Sequence, residues 1–148
     1  MLNEKYTNIY IILNLTDKQI AEVAGLLDCG MSCFYHLPTG TIEAHPDIEN
    51  PYFDPEPWQE LTDKIEKNWD EYESIEKMDK KAEFQLIEGF AFSVSIGEFR
   101  DKILEKISGR RPFQNFKLLI DSSPYRQDWF DFKMRSYIDH VKRQLLRS

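Results

Sequence analysis

The sequence is poor in the residues that form disulfides, redox centres and phosphate-binding loops. It contains two cysteines and six glycines in 148 residues. Cys29 and Cys33 are too few for a disulfide framework in a chain of this size, which favours free thiols and a reducing compartment. The glycines form neither G-x-x-x-x-G-K-S/T nor G-x-G-x-x-G, the patterns whose backbone amides bind phosphate. The sequence therefore argues against nucleotide-dependent chemistry.

Long apolar runs are also missing. The run nearest the N-terminus, Ile9 to Leu13, has neither a basic flank nor a small-residue cleavage site, and a membrane-spanning helix needs about 20 apolar residues. We expect a cytoplasmic protein that does not enter a membrane. The role of the N-terminal segment 1–15 stays open, with two interpretations of Tyr6–Leu13 within it: a short strand, and an arm that contacts a neighbouring molecule.

Residue types that bind zinc are present, but their spacing does not bring them together. Alternation along a strand places Cys33 and His36 on opposite faces, and His45 falls about 13 Å along the ladder from His36. The sequence contains no G-x-S-x-G elbow, and no motif surrounds its three histidines. We therefore assign no catalytic, cofactor-binding or metal residue and expect no cofactor. An unrecognised enzyme is the second alternative function.

Apolar residues are plentiful enough for a packed core. Hydrophobic residues make up 41% of the chain and charged residues 30%, a balance typical of globular proteins. A chain of this length buries roughly two-thirds of its unfolded surface without metals or disulfides. We expect a single domain over residues 1–148.

Charge is distributed unevenly along the chain. Residues 1–99 carry 20 acidic and 7 basic side chains, and residues 100–148 carry 6 acidic and 12 basic ones. The basic C-terminal half is either a binding surface or the electrostatic complement of the acidic half within one fold. Both interpretations stay open.

Apolar periodicity and capping signals predict a mostly helical chain. Thr16 and Gln19 form a capping box in front of the first helix, at 17–28. Further helices are predicted at 57–68 and at 80–94, and another between a second capping box at 95–98 and Gly109. A short helix follows from Pro112 onwards. The last helix is predicted to have Ser123 as its N-cap and Pro124 as its first helical residue.

The turn sequence at residues 37–40, Leu-Pro-Thr-Gly, predicts a β-hairpin over residues 31–45. Because a two-stranded hairpin alone is marginally stable, we expect a third strand beside it at 71–77. The predicted fold class is α+β, a mostly helical single domain with a small antiparallel sheet.

Alternation along the hairpin also predicts a candidate partner surface. If His36 pairs with Thr41, the side chains of the hairpin divide between two faces. The core face carries Cys33, Tyr35, Ile42 and Ala44. The outer face carries Ser32, Phe34, His36, Glu43 and His45. Phe34 and His36 are therefore candidates for binding a partner. Trp129 and Phe130 are adjacent on a helix and cannot both face inward, which makes Phe130 the third candidate.

The run 46–57, with four prolines and four acids, is predicted to be an ordered loop held by Tyr52 and Phe53.

A basic turn is the most specific polar feature. Gly109 and Pro112 frame two arginines at the start of a helix, a geometry that suits an anion because guanidinium groups and helix N-terminal amides both bind phosphate. The candidate anion or nucleic-acid residues are Arg110, Arg111, Lys117 and Arg126. The structural alternative is that Arg110 caps the preceding helix or pairs with Asp121 or Asp128.

The segment 99–132, FRDKILEKISGRRPFQNFKLLIDSSPYRQDWFDF, resembles the small bacterial proteins of uncharacterised protein family 0158. The resemblance lies in Gly109-Arg110, in Phe113 with Phe116-Lys117, and in Trp129-Phe130 with Phe132. The hairpin 34–42 and Glu88-Gly89-Phe90 extend it to residues 16–140. The resemblance implies a bacterial cytosolic protein and assigns no catalytic residue.

These observations favour a protein-interaction or regulatory module without catalysis. Its predicted partner is another protein, bound through the outer face of the hairpin or through the acidic, proline-rich loop at 46–57. The alternative is a nucleic-acid or phosphate-binding protein that uses the basic C-terminal half, although the overall pI near 5.0 weighs against non-specific binding of nucleic acid.

Overall fold

The computed structural model describes residues 11–12, 14–93 and 97–147. The chain divides into two compact units, an N-terminal unit of Met1–Lys77 with Tyr137–Ser148 and a helical unit of Met78–Ser136. Most of segment 1–15 and half of the predicted capping box at 95–98 lie outside the described residues. No helix in the described ranges is long and apolar enough to cross a membrane.

In chain order the elements are β1 (Ile11–Ile12), α1 (Asp17–Asp28), β2 (Met31–His36), β3 (Ile42–Pro46), α2 (Gln59–Lys67), β4 (Tyr72–Ile75), α3 (Lys80–Ser93), α4 (Gly97–Ile107), α5 (Pro112–Asp121), α6 (Arg126–Gln144) and β5 (Leu146–Arg147). Short 3-10 turns at Glu56–Trp58 and Trp69–Glu71 precede and follow α2. Helices with a small antiparallel sheet confirm the predicted α+β class.

The first helix forms as its capping signal predicts. Thr16 Oγ1 accepts a hydrogen bond from the Gln19 N–H (3.1 Å), and Gln19 Oε1 accepts one from the Thr16 N–H (3.0 Å). These bonds satisfy two backbone donors that the helix cannot satisfy itself. The buried stripe of α1 consists of Ile20, Val23, Ala24 and Leu27, and α1 packs against β2.

The sheet has the order β3-β2-β4 and all its pairs are antiparallel. Tyr35 lies opposite Ile42, and the His36 N–H donates to the Thr41 carbonyl at 2.9 Å, which is the predicted register. The third strand is also confirmed, as the shorter segment Tyr72–Ile75 paired with β2. β2 is therefore the central strand, and both of its faces have to be covered.

The prediction that Phe34 is exposed on the outer face of the hairpin is wrong. Phe34 is only 9% exposed, because Ile65 and Leu61 of α2 and Tyr72 of β4 pack around it. Its ring also stacks on that of buried His45, with centroids 5.3 Å apart. The apolar stripe of α2 needs a surface to bury against, and this face of the sheet provides it.

The end of α6 belongs to the N-terminal unit and is bound to the segment after β4. The Gln144 side chain accepts from the Glu76 N–H (2.9 Å) and donates to the Glu76 carbonyl (2.8 Å). His140 Nε2 donates to the same carbonyl at 2.7 Å. The two side chains thus satisfy backbone groups that continue the edge of the sheet.

Two helix starts differ from prediction. The segment expected to begin as a helix at residue 57 first forms a 3-10 turn and becomes α-helical at Gln59. The last helix begins at Arg126 instead of Pro124, because Ser123 Oγ donates to the Ile120 carbonyl and accepts from the Tyr125 N–H. These bonds fold Ser123–Tyr125 into a turn that continues from α5.

The core of the helical unit is aromatic. Phe90 on α3 is 1% exposed and its ring lies 5.2 to 6.4 Å from those of Phe116, Trp129 and Phe132. The other buried members are Ile87, Ala91, Ile103, Ile107 and Ile120. Because rings at such distances add specific edge-to-face contacts to apolar burial, Phe90 is the centre of this core.

Phe90→Ala is expected to lower the free energy of unfolding by about 3–5 kcal/mol, because it leaves a cavity among three aromatic rings. Phe92→Ala is the matched control, since Phe92 is 59% exposed two residues further on the same helix. Its ring contacts only the Arg100 guanidinium among its described ring partners, so the expected loss is about 1 kcal/mol or less. Urea denaturation of both variants measures the difference; equal losses would contradict this assignment of the core.

Candidate functional site

His36, a predicted partner-surface residue, is bound within the fold. Its Nδ1 shares a 2.6 Å hydrogen bond with Thr39 Oγ1, and its Nε2 lies 3.6 Å from Glu71 Oε2. Its ring centroid is 4.8 Å from that of Tyr72. These contacts join the end of β2 to the hairpin turn and to β4, so the imidazole has a structural role here.

Phe130, the third residue of the predicted surface, is exposed. Its exposed fraction is 49%, whereas its neighbour Trp129 packs with ring centroids 5.2 Å from Phe90 and 4.8 Å from Phe116. Consecutive residues on a helix point about 100° apart, so burial of Trp129 turns Phe130 outward. The expectation that only one of this pair faces inward is confirmed.

The four predicted anion-binding residues form two separate pairs. Lys117 Nζ lies 3.1 Å from Asp121 Oδ2, and Arg126 Nε lies 3.7 Å from Asp121 Oδ1. Arg110 and Arg111 precede the first turn of α5, whereas Asp121 is its last residue, about 15 Å from Arg111 along the axis. Neither guanidinium forms an ion pair with any residue that the structure describes, and the predicted alternative partner of Arg110, Asp121, is occupied by the other pair.

The backbone at Arg111 is strained. Arg111 has φ 54° and ψ 53°, the left-handed region, and its side chain does not cap α5. Pro112 follows and cannot donate a hydrogen bond, and the Asn115 side chain donates to the Arg110 carbonyl at 2.9 Å. The turn is therefore held by the Asn115 side chain while both arginines stay exposed.

A charged network fastens α2 to the sheet. Lys64 Nζ donates to Glu43 Oε1 at 2.7 Å. Burial opposes ionisation of Glu43, but hydrogen bonds from Lys64 and from Tyr72 outweigh it and hold the pKa of Glu43 below its ordinary value of 4.5. Burial, together with the bond to Glu43, raises the pKa of Tyr72. Lys64 and Tyr72 thus both act on the Glu43 carboxylate, which describes a structural network between α2 and the sheet.

The two cysteines lie in different environments. Cys33 is buried in β2, and burial raises the pKa of its thiol to about 12, whereas Cys29 is exposed at the end of α1. A thiol with so high a pKa is a poor nucleophile and metal ligand. The described residues contain no group of three His, Cys, Asp or Glu side chains placed to hold a metal ion.

The acidic loop, defined as residues 47–56, is ordered by three successive side-chain turns. Asp47 Oδ1 accepts from the Glu49 N–H (2.9 Å), Asn50 Oδ1 from the Tyr52 N–H (2.9 Å) and Asp54 Oδ1 from the Glu56 N–H (3.2 Å). A 2.6 Å ion pair joins Asp47 to Lys77, and this bond, with that from Glu49, keeps the pKa of Asp47 below its ordinary value. The loop is ordered as predicted, although for another reason.

Tyr52 does not hold the acidic loop as predicted. Its side chain is 92% exposed, while its N–H is bound by Asn50. Ile48, on the same loop, is 60% exposed. The loop thus presents two apolar side chains to solvent on a backbone that is fixed by its Asx turns.

Trp69 lies four residues after Ile65, at helical spacing, yet its side chain is 60% exposed. The helix ends at Lys67, and Asn68 donates through its side chain to the Lys64 carbonyl at 2.8 Å. Trp69 then begins a 3-10 turn, and its ring touches Phe34 edge-on, with centroids 6.3 Å apart. The stop at Asn68 was the signal that helical spacing no longer applied.

Unpaired carboxylates accompany these exposed side chains. Residues 47–76 contain eleven acidic and two basic residues, and Lys64 is already paired with Glu43. Within the described part of the chain, seven exposed carboxylates of this stretch form no ion pair. They are Glu49, Asp54, Glu56, Glu60, Glu66, Asp70 and Glu76. The surface of the N-terminal unit around the acidic loop and α2 is therefore strongly negative.

Arg111→Gly is expected to stabilise the protein by about 0.5–1 kcal/mol, because glycine adopts the left-handed conformation without the Cβ clash. Arg110→Gly is the control: Arg110 is equally exposed but lacks the positive φ, so its replacement brings no gain. Thermal unfolding at equal salt compares the two variants. A loss of stability in Arg111→Gly would contradict the strain at this turn.

Glu43→Gln is expected to remove a pH-dependent part of the stability. Since the pKa of Glu43 is lower in the folded protein than in the unfolded chain, the ionised carboxylate stabilises the fold above pH 4.5, and this contribution is lost as the pH falls through the lower pKa. The wild type should exceed Glu43→Gln by about 1 kcal/mol at neutral pH and lose that advantage in acid. Urea denaturation between about pH 6 and pH 3 measures this, with Glu49→Gln as the unpaired control.

A family model matches residues 47–144, and its description is Uncharacterised protein family (UPF0158). The matched residues make up about two-thirds of the chain and include the acidic loop, α2 and the basic turn. The hairpin lies before them, so the part of the resemblance drawn from residues 16–46 is outside the match. No curated protein and no solved structure matches the chain. The chain belongs to the Uncharacterised protein family (UPF0158).

Proposed function

We propose that this protein is a protein-interaction module and that the acidic loop is its contact element. The observation that carries the proposal is Tyr52, which is 92% exposed on a backbone held by hydrogen bonds. Tyrosine is enriched at the energetic centres of interfaces, because its ring offers a large contact area and its hydroxyl a hydrogen bond. The setting that we propose, a bacterial cytoplasm, suits two free thiols.

The order of the acidic loop supports this role. Ordering a flexible loop and its side chains on association costs about 0.5–1.5 kcal/mol per immobilised side chain. Here Asp47, Asn50 and Asp54 already fix the backbone on either side of Tyr52, and the ion pair to Lys77 anchors the loop at its start. A partner therefore meets a preformed surface, and less of the contact energy is lost in ordering.

Phosphate or nucleic-acid binding is the second candidate, and it rests on Arg110 and Arg111 alone. Their guanidinium groups are exposed and unpaired among the described residues, at the start of a helix. Lys117 and Arg126, the other two candidates, share Asp121, which lowers the positive charge at that end of α5. Two phosphate contacts supply little affinity at physiological salt, so we favour the protein partner.

Replacement of Tyr52 by the photo-crosslinking residue p-benzoylphenylalanine tests the proposal in living cells of the native host. We expect a discrete covalent adduct with one protein after irradiation, because the side chain projects fully into solvent. The matched control places the same residue at Phe92, which is 59% exposed on α3. Against the captured partner, purified Tyr52→Ala should bind about tenfold more weakly than wild type, as for an interface hot spot.

The adduct must survive nuclease treatment, which separates a direct protein partner from proteins bridged by nucleic acid. Absence of any adduct at position 52, or the same adducts at 52 and 92, contradicts the proposal. An adduct that nuclease abolishes would redirect attention to the basic turn at Arg110 and Arg111.

A further inference from the structure

Trp69 is the largest exposed side chain of the N-terminal unit whose backbone is also fixed. The Glu71 N–H donates to the Asn68 carbonyl (2.8 Å), and the Leu37 N–H of the hairpin turn donates to the Glu71 carbonyl (2.8 Å). These bonds clamp the 3-10 turn that carries Trp69 between α2 and the end of β2. The ring rests edge-on against Phe34, so its position is set while 60% of it faces solvent.

The charges next to this indole are mostly negative. Asp70 follows Trp69 directly and Glu66 precedes it by three residues, and both are exposed without an ion pair among the described residues. Within five residues of Trp69 in the sequence the cations are Lys64 and Lys67, and Lys64 is engaged by Glu43 at 2.7 Å. An aromatic face beside carboxylates attracts a cation through two interactions, one with the ring quadrupole and one with the negative charge of the carboxylates.

Arginine matches this combination better than lysine or a metal ion does. Its guanidinium is planar and weakly hydrated, so it stacks on an indole while its N–H groups reach carboxylates. A phosphate backbone would be repelled by the surplus of eleven acidic over two basic residues in 47–76.

We propose that Trp69, with Glu66 and Asp70, receives an arginine-containing segment of the partner protein, the guanidinium lying on the exposed indole face between the two carboxylates. The inference rests on the proposed function and adds the chemistry of the partner to it. The Trp69 contact and the acidic loop belong to one unit and are joined through Phe34 and His45, whose rings stack at 5.3 Å. The partner segment is therefore basic where it meets α2.

The test is a titration of ¹⁵N-labelled full-length protein with three defined peptides in which glycine alternates with arginine, lysine or glutamate. The chain has three tryptophans, so the spectrum contains three indole N–H resonances, and the Trp69→Phe variant assigns one of them. We expect the arginine peptide to shift the Trp69 resonance and leave that of Trp129 in place, and the lysine peptide to bind more weakly. The glutamate peptide should shift neither resonance.

Two variants separate the ring from the charges. Trp69→Ala should weaken the arginine peptide about 2- to 5-fold, and Trp69→Phe should weaken it less, because a smaller aromatic face remains. Glu66→Gln with Asp70→Asn should weaken it by a similar factor, about 2- to 5-fold. The control, Asp101→Asn with Glu105→Gln, removes two exposed carboxylates of α4 in the helical unit and should leave the affinity unchanged.

Three results would overturn the inference. They are an unmoved Trp69 resonance, equal affinity for wild type and Trp69→Ala, and Trp69 shifts that depend on protein concentration without peptide, which would identify a second copy as the occupant. If Tyr52 still gives its adduct in any of these cases, the interaction stands and only the cationic assignment fails. A Trp69 response to arginine without any Tyr52 adduct would instead support the cation site and contradict the acidic loop as the contact element.

Discussion

The packing of α2 on Phe34 is the contact on which the arrangement of the N-terminal unit depends. β2 is the central strand, and burial of a phenylalanine side chain contributes about 1.5–3 kcal/mol. Leu61 and Ile65 provide that burial, and so the second face of the sheet becomes interior. Two residues beyond the end of α2, the Trp69 ring meets the same Phe34 edge-on. Phe34, which the sequence suggested as a partner-binding residue, is instead the interior residue against which Trp69 is positioned.

Covering this face required partners for its polar side chains. An unsatisfied buried polar group costs about 1–3 kcal/mol, and the sheet presents Glu43, Tyr72 and His36 on the covered side. Lys64 donates a hydrogen bond to Glu43, and Thr39 shares one with His36. Tyr72 contributes a further hydrogen bond to Glu43. Charges between α2 and the sheet are therefore neutralised, whereas those on the solvent side of the acidic loop and α2 are left over. This division separates residues that hold the fold from residues that remain available to a partner.

Local structure could be predicted well from the sequence, whereas the burial of one element's surface under another element could not. The capping box at Thr16, the register of His36 with Thr41 and the third strand are all set by short-range signals, and each is confirmed. Burial of Phe34 could not be predicted from alternation, because the sequence of a strand does not reveal whether a later helix will cover its polar face. Exposure of Trp69 could not be predicted from its helical spacing to Ile65, because α2 ends at Lys67. The family was recognisable from the spacing of its aromatic and basic residues in the C-terminal third, and the match over 47–144 confirms it.

Tyr52 and Trp69 share a physical property that neither composition nor spacing expresses. In each case hydrogen bonds hold the backbone, in Asx turns around Tyr52 and in a 3-10 turn at Trp69, while most of the side chain is exposed to water. Exposed aromatic surface gains nothing from folding, whereas the hydrogen bonds that immobilise it cost conformational entropy of about 1–2 kcal/mol per residue. Stability alone is served as well by a polar residue at these positions. A rigid, exposed aromatic becomes favourable once a second surface covers it, because the ordering cost has been met during folding and the full apolar gain is then released on association.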